Sequence, residues 1–492
     1  MEESGFRLNR PGRGEPTVKR YEDPKWVQSM RLSLDHNYAM AECLGESGLK
    51  YSDLEGLVPR LEALHQDLTA QRQSGQAGFM ELPYDSQIVQ DIRRLSKPLL
   101  EWCWDVVVLG VGVSASGVRA LHQALRPPQH NKFPMARRHH KLGLWVADDI
   151  DPDHLWGLLD GLDLRRTAFN AISKSGDPVE TLALFLWAYQ LMKTRLGEDK
   201  VRELFVITTD LKKGVLRSLA AREHLPSLAV PSNVPESFSV LSAAGLFPAV
   251  LTGIEVEELL AGARAMDQRL KEAPVDRNPA YRLAALFYLF ATFKERPFLI
   301  FMPYATTLAG MAEWVCQLWA ESLGQRHDLQ GKGVPVIRAL GATDRQSQLH
   351  QFMEGPADKL ITFLTVDKFQ HHLEIPESYP EEAELSFLEG HSLQELLKVE
   401  HQATAFNLMK AGRPNLTLRL PEINPFTIGQ LIYLLETATV AAAYLFGVNA
   451  FDRPGVERSE QTAYGLLGKP EFESFHRQFD AAWPALDKYQ IS

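Results

Sequence analysis

Along the chain, short apolar runs alternate with segments whose apolar residues recur every three or four positions, as strands covered on both faces and amphipathic helices require. The clearest cycle opens at 105–125, where Asp-Val-Val-Val-Leu runs into Gly-Val-Gly-Val-Ser-Ala-Ser-Gly and then a helical pattern. It predicts a strand, a phosphate-type turn and a helix. Apolar runs at 142–148, 168–172, 204–210 and 228–232, with a helix over 179–196, complete a first parallel sheet wrapped by helices. Helical stretches at 240–253, 255–271 and 279–294 follow. A second cycle places strands at 297–303, 334–340, 360–366 and 416–422, and helices at 308–323, at 345–353, up to about 411, and at 426–446. The pattern predicts an α/β fold of two doubly wound parallel sheets in tandem. Ahead of them, 26–100 carry helical spacing (Leu54, Leu57, Leu61, Leu64) and 1–25 read as a loose polar arm, while 447–492 is expected to pack back on the rest.

Composition narrows the classes. A chain of 492 residues exceeds one compact core, and 45% hydrophobic with 23% charged residues is ordinary for a globular protein. A net charge of −10 without a basic run argues against nucleic acid or an anionic membrane as partner. No stretch reads as eighteen consecutive apolar residues, and the first sixteen residues lack the apolar core of a secretion signal, so a cytoplasmic protein is expected. Cys43, Cys103 and Cys316 are too few and scattered for a disulfide framework or metal cluster and read as small core residues in a reducing compartment. No cofactor is expected.

The chemistry centres on 169–181, Phe-Asn-Ala-Ile-Ser-Lys-Ser-Gly-Asp-Pro-Val-Glu-Thr. A buried strand here delivers Ser173, Lys174, Ser175 and Gly176 to the start of a helix with Pro178 at its first position. A phosphate at such a loop would meet free amides, hydroxyls and the positive end of the helix dipole. The same residues also make an ordinary turn before a helix. At 105–125 a dinucleotide fold is the rival reading; the glycine spacing differs, and no acidic residue ends a second strand at the expected distance.

Ile172-Ser173-Lys174-Ser175-Gly176 followed by Glu180-Thr181 resembles the sugar-phosphate loop of glucose-6-phosphate isomerases, and four further stretches resemble that family's landmarks in order: 238–254, 313–324, 354–359 and 451–457. The resemblance runs from about residue 100 to the end and is strongest to the bacterial form. It implies two sugar-isomerase (SIS-type) domains at 101–294 and 295–446, preceded by an arm and helices at 1–100 and followed by a tail at 447–492. It further implies a homodimer with sites near the subunit boundary, and a sugar phosphate as ligand.

The family moves a proton between C1 and C2 of a hexose 6-phosphate, which calls for a phosphate cradle, a carboxylate base, a proton shuttle and a cation for the enediolate. By resemblance the base is Glu321, on a helical stripe with Trp314, Gln317 and Leu318 where a carboxylate's pKa can be raised, and Gln317 matches a substrate-facing glutamine. Ser114, Ser173, Lys174 and Ser175 match the cradle. Elsewhere the motifs depart. Ser237, with Glu236 beside it, stands where the family has an arginine; Gln346 stands where it has the ring-opening histidine; Glu460 replaces a lysine and Arg453 a glutamine. Asp177 and Pro178 replace two threonines of the cradle and Val113 a glycine; a carboxylate there repels a dianion, and proline lacks an N–H. His350, four residues past Gln346, reads as a helix-surface histidine. Three readings follow: a divergent family member with impaired isomerisation that binds a sugar phosphate, a working isomerase with Glu321 and substitute helpers, or a dimeric structural protein without a ligand.

Overall fold

The computed structural model describes residues 19–324, 334–452 and 454–482. Its ten strands are β1 (Ser33–Asp35), β2 (Asp105–Leu109), β3 (Gly143–Ala147), β4 (Thr167–Ile172), β5 (Phe205–Asp210), β6 (Ser227–Val230), β7 (Phe298–Pro303), β8 (Val336–Arg338), β9 (Lys359–Lys368) and β10 (Asn415–Glu422). They form two five-stranded sheets, ordered β3-β2-β4-β5-β6 and β8-β7-β9-β10-β1. Every pairing is parallel except that of β1 with β10. All six residues of β4 and of β5 are buried, which is why neither shows a polar face alternating with an apolar one.

The two sheets are wound alike. In each, the first strand sits inside, the second lies to one side and the third crosses to the other, so each has one switch point, β2/β4 in the first sheet and β7/β9 in the second. The fifth place differs. In the first sheet β6 fills it in parallel; in the second it is taken by β1, which joins antiparallel from the segment expected to be wholly helical. Three residues are too few for a period to show.

Helices Val113–Leu125 and Ala309–Leu323 pack against each other and run in opposite directions: Gly310, at the start of the second, lies against Ala120 and Gln123 near the end of the first, while Glu321 at its far end approaches Gly112. This pair carries a residue of the second half to the switch point of the first sheet.

Against β10 runs the helix Pro425–Phe446, flanked by the helices Val256–Glu272, Pro279–Thr292 and Ala309–Leu323. With 22 residues and a mean hydropathy of 1.3 over its most apolar window it is long and apolar enough to cross a membrane, yet 94% of that window is buried within the protein. Counting uninterrupted apolar residues overlooked it because Gln430, Glu436 and several threonines break the run. The neighbouring helices also account for Ile428, Leu431, Leu434 and Leu435 of this helix, all buried. Its approach to Val256–Glu272 is set by two glycines. A Cβ on Gly262 would lie 1.9 Å from the Phe426 carbonyl oxygen, and one on Gly429 would lie 1.9 Å from that of Leu259.

Two smaller expectations are corrected. Residues 19–25 are held, through Arg20 to Glu258 at 2.6 Å, where a loose arm was expected. Cys43 is exposed on a short helix, whereas Cys103 is buried; burial pushes the thiols of Cys103 and Cys316 up to about 12.

One buried ionic network ties the N-terminal helices to this core. Asp267, 1% exposed, accepts from Arg72 at 2.7 Å, Tyr433 at 2.6 Å, Tyr84 at 2.5 Å and Lys271 at 2.8 Å. Burial alone would raise its pKa, but these four donors outweigh that and hold it below the usual carboxylate value. A depressed folded pKa contributes stability that is complete above the unfolded value of about 3.9 and is lost as pH falls through the folded one. Asp267→Asn should therefore cost about 3 kcal/mol at neutral pH in urea unfolding, with the deficit shrinking below pH 4. An equal deficit at pH 7 and pH 3 would remove the charge of Asp267 from the account.

Candidate functional site

At the first switch point β2 and β4 end side by side, so close that a Cβ on Gly110 would lie 2.7 Å from the Ile172 carbonyl oxygen. The chain turns at Gly112, whose φ of 69° suits glycine, and places Ser114 in the first turn of Val113–Leu125, buried. On the other side β4 hands over to 173–178. Ser173 Oγ accepts from the Gly176 N–H at 3.1 Å and lies 3.5 Å from Ser175 Oγ, so the loop closes round a buried hydroxyl. The carbonyls of Lys174 and Gly176 accept from Asp210 N at 3.1 Å and Leu216 N at 3.2 Å, which turns them toward β5 and the helix Val215–Arg222. The following helix spans Val179–Leu196, the predicted range, with Pro178 as its N-cap rather than its first residue.

A carboxylate reaches these donors. Glu236 Oε1 accepts from Ser114 Oγ at 3.1 Å and from the Lys174 N–H at 3.4 Å, drawing the two halves of the loop pair onto one negative group. Next to it, the buried Ser237 hydroxyl donates a short hydrogen bond to Glu321 Oε2. Glu321 is half-buried near the end of Ala309–Leu323, and its other oxygen lies 3.8 Å from where a Cβ on Gly112 would stand. Gln317, one turn earlier on the same stripe, has its Oε1 buried without a hydrogen-bond partner among the described residues, an acceptor that a ligand hydroxyl or a water would satisfy. The structure thus brings Ser114, Ser173, Lys174, Ser175, Ser237, Glu321 and, by helical phase, Gln317 to one place.

Glu460 reaches the rim of this place. It lies on Pro454–Leu466, where Tyr464 donates to the Asp177 carbonyl at 3.0 Å; burial first, then the charges of Glu460, Asp177 and Glu180, raise the Tyr464 pKa. Gln346 stands elsewhere in this chain, exposed on the turn after β8 and next to Arg345, which pairs with Glu400 on the helix Leu393–Lys410 at 2.9 Å. His350 is exposed on a helix, as expected. Arg453 lies outside the described residues. The carboxylate of Asp177, expected to face a bound dianion, accepts from the Val215 N–H at 3.0 Å and so caps the neighbouring helix.

Sequence reasoning noted Glu236 only as a charge beside Ser237. Its reach to Ser114 and Lys174 spans 122 and 62 positions and leaves no periodic trace. Among the described residues no group of three or more His, Cys, Asp or Glu is placed to hold a metal ion. In chemical terms the site offers hydroxyl and amide donors with one lysine, suited to an oxyanion, together with two carboxylates held by serines.

The family model described as phosphoglucose isomerase matches residues 101–486. The chain is 38% identical over 449 residues to a glucose-6-phosphate isomerase of Carboxydothermus hydrogenoformans, covering 90% of this chain and 96% of that one. Among solved structures, a hypothetical protein of Thermus thermophilus superposes with a TM-score of 0.78 at 34% identity, over 89% of this chain and all of its own. A glucose-6-phosphate isomerase of Chlamydia trachomatis shares the fold, with a TM-score of 0.67 at 21% identity over 80% of this chain and 77% of its own.

If Glu236 stands where an anion would bind, Glu236→Gln should tighten binding of inorganic phosphate at least about tenfold, since one unit charge a few ångströms away is worth more than that in a partly buried site. Calorimetry that returns the same Kd for both proteins would place the anion elsewhere.

Proposed function

Since the chain belongs to the phosphoglucose isomerase family, we propose that it binds a hexose phosphate at the first switch point and carries out the aldose–ketose isomerisation poorly. The observation that carries this reading is the pair Glu236–Ser237: a carboxylate occupies the Ser114 and Lys174 donors, and a neutral serine holds Glu321 where the family resemblance implies an arginine.

The geometry supports the following roles in this reading. Ser173, Ser175 and the loop amides receive the phosphate, with Lys174 as counter-charge and Ser114 shared between the ligand and Glu236. Glu321 is the base above the C1–C2 edge, oriented by the Ser237 hydroxyl, with Gln317 toward the sugar. A serine hydroxyl donates one hydrogen bond to developing negative charge and supplies no positive charge. Gln346 cannot exchange a proton near neutrality and stands away from the loop in this chain, so it would serve a site only from the second copy of a dimer, and ring opening is left to solvent. Glu460 adds negative charge near the loop. A family homodimer is part of the proposal, and light scattering at micromolar concentration should give twice the chain mass; a monomer would remove it.

Losing one positioned acid or base costs on the order of 10²–10⁴ in rate and losing one oxyanion donor about 10²–10³, and such groups are not additive when they act as a unit. Fructose 6-phosphate turnover in a coupled dehydrogenase assay should therefore be near background. Ser237→Arg with Gln346→His and Glu460→Lys should recover measurable turnover, and Glu321→Gln on that background should abolish it. Ordinary turnover by the unaltered protein, lost on Glu321→Gln, would instead establish a working isomerase.

A further inference from the structure

The second sheet repeats the winding of the first, so its switch point, β7/β9, is the place where a ligand crevice is expected on general grounds. A cavity of about 390 Å³ lies there, within the range of small-molecule pockets. Its walls come from the end of β9 (Val366, Lys368), the turn after it (Phe369), the loop after β7 (Thr307) and the first turns of Leu393–Lys410. The last turn of Val113–Leu125 closes it from the first half with Leu125 and Arg126. The turn is preset: Gln394 accepts from the Phe369 N–H and donates to the Asp367 carbonyl, both at 3.2 Å.

Its lining differs in chemistry from that of the first site. The wall is mainly apolar, through Leu125, Val366, Phe369, Leu397 and Ile423, and no acidic side chain is among the described residues that line it, in a chain whose net charge is −10. Three basic side chains do line it: Arg126, Lys368 and His371. Lys368 is exposed and makes no ion pair among the described residues. Arg126 spends one N–H on the Gly253 carbonyl at 3.1 Å and keeps its Nε buried without a partner; burial, opposed only by the charge of Glu255, lowers its pKa. A half-desolvated guanidinium at the mouth of an apolar cavity favours an anion whose body is apolar. Sugar hydroxyls would find few partners on these walls.

We infer that the β7/β9 switch point is a second binding site, specific for a small amphipathic anion with an apolar or aromatic body and one carboxylate, sulfonate or phosphate head, seated with the head between Arg126 and Lys368. The site is separate from the sugar-phosphate loop and does not depend on isomerase activity. It is tested with 1-anilinonaphthalene-8-sulfonate on the full chain. Fluorescence should saturate at one probe per chain, with displacement by octanoate and none by glucose 6-phosphate. Lys368→Glu, on an exposed side chain, should weaken the probe at least about tenfold, and Arg126→Gln should weaken it likewise. Unchanged affinity in Lys368→Glu, displacement by glucose 6-phosphate, or saturation at several probes per chain would each overturn the assignment.

Discussion

The contact between helices Val256–Glu272 and Pro425–Phe446 constrains everything else. Gly262 and Gly429 let the two backbones touch, and any side chain there would drive carbonyl and Cβ into overlap. Because the first helix follows the first sheet and the second follows β10, that contact fixes one half of the molecule against the other. Asp267 and Tyr433, hydrogen-bonded across the same interface, add a polar anchor that also holds Arg72 and Tyr84 of the N-terminal helices. The antiparallel pair Val113–Leu125 and Ala309–Leu323 then has a defined phase, and Glu321 arrives beside Gly112 as a result. The position of the candidate base is thus a consequence of helix packing far from it.

Much of this was legible in the sequence. The parallel strands declared themselves because both faces are covered, leaving no polar alternation in β4 or β5. The stripe Trp314, Gln317, Leu318, Glu321 gave the correct face of its helix: Trp314 and Leu318 are fully buried, while Gln317 and Glu321 sit at the boundary. What escaped was non-local. β1 is too short for a period, the enclosure of Pro425–Phe446 depends on three other helices, and the bond from Glu236 to Ser114 joins residues with no shared element. The separation of Gln346 from the loop could not be read either, since the spacing of a motif says nothing about where its turn projects. The exposed Cys43 shows the limit of composition: residue type gives a tendency to burial, and the short helix carrying it has too few neighbours to enforce one.

The two switch points carry contrasting electrostatics within one winding pattern. At the first, hydroxyls and amides are already engaged by a carboxylate, and a further carboxylate faces them from the helix end. At the second, basic groups surround an apolar hollow. Identical backbone order places a crevice at the same point of each sheet, but only the side chains at the strand ends decide what the crevice attracts.

The borrowed strand β1 bears on how the chain acquires its shape during synthesis. The first sheet draws its five strands from one continuous stretch and is complete once β6 has emerged. The second cannot close until β10 is made, because only then does Leu34 find Leu418 as its partner. Until that moment residues 33–35 have no sheet to join, and β10, once formed without them, presents an open edge to any passing strand. A nascent chain of this protein is therefore exposed to mispairing late, at its C-terminal half, and its N-terminal segment works as an edge guard that was synthesised first and is used last.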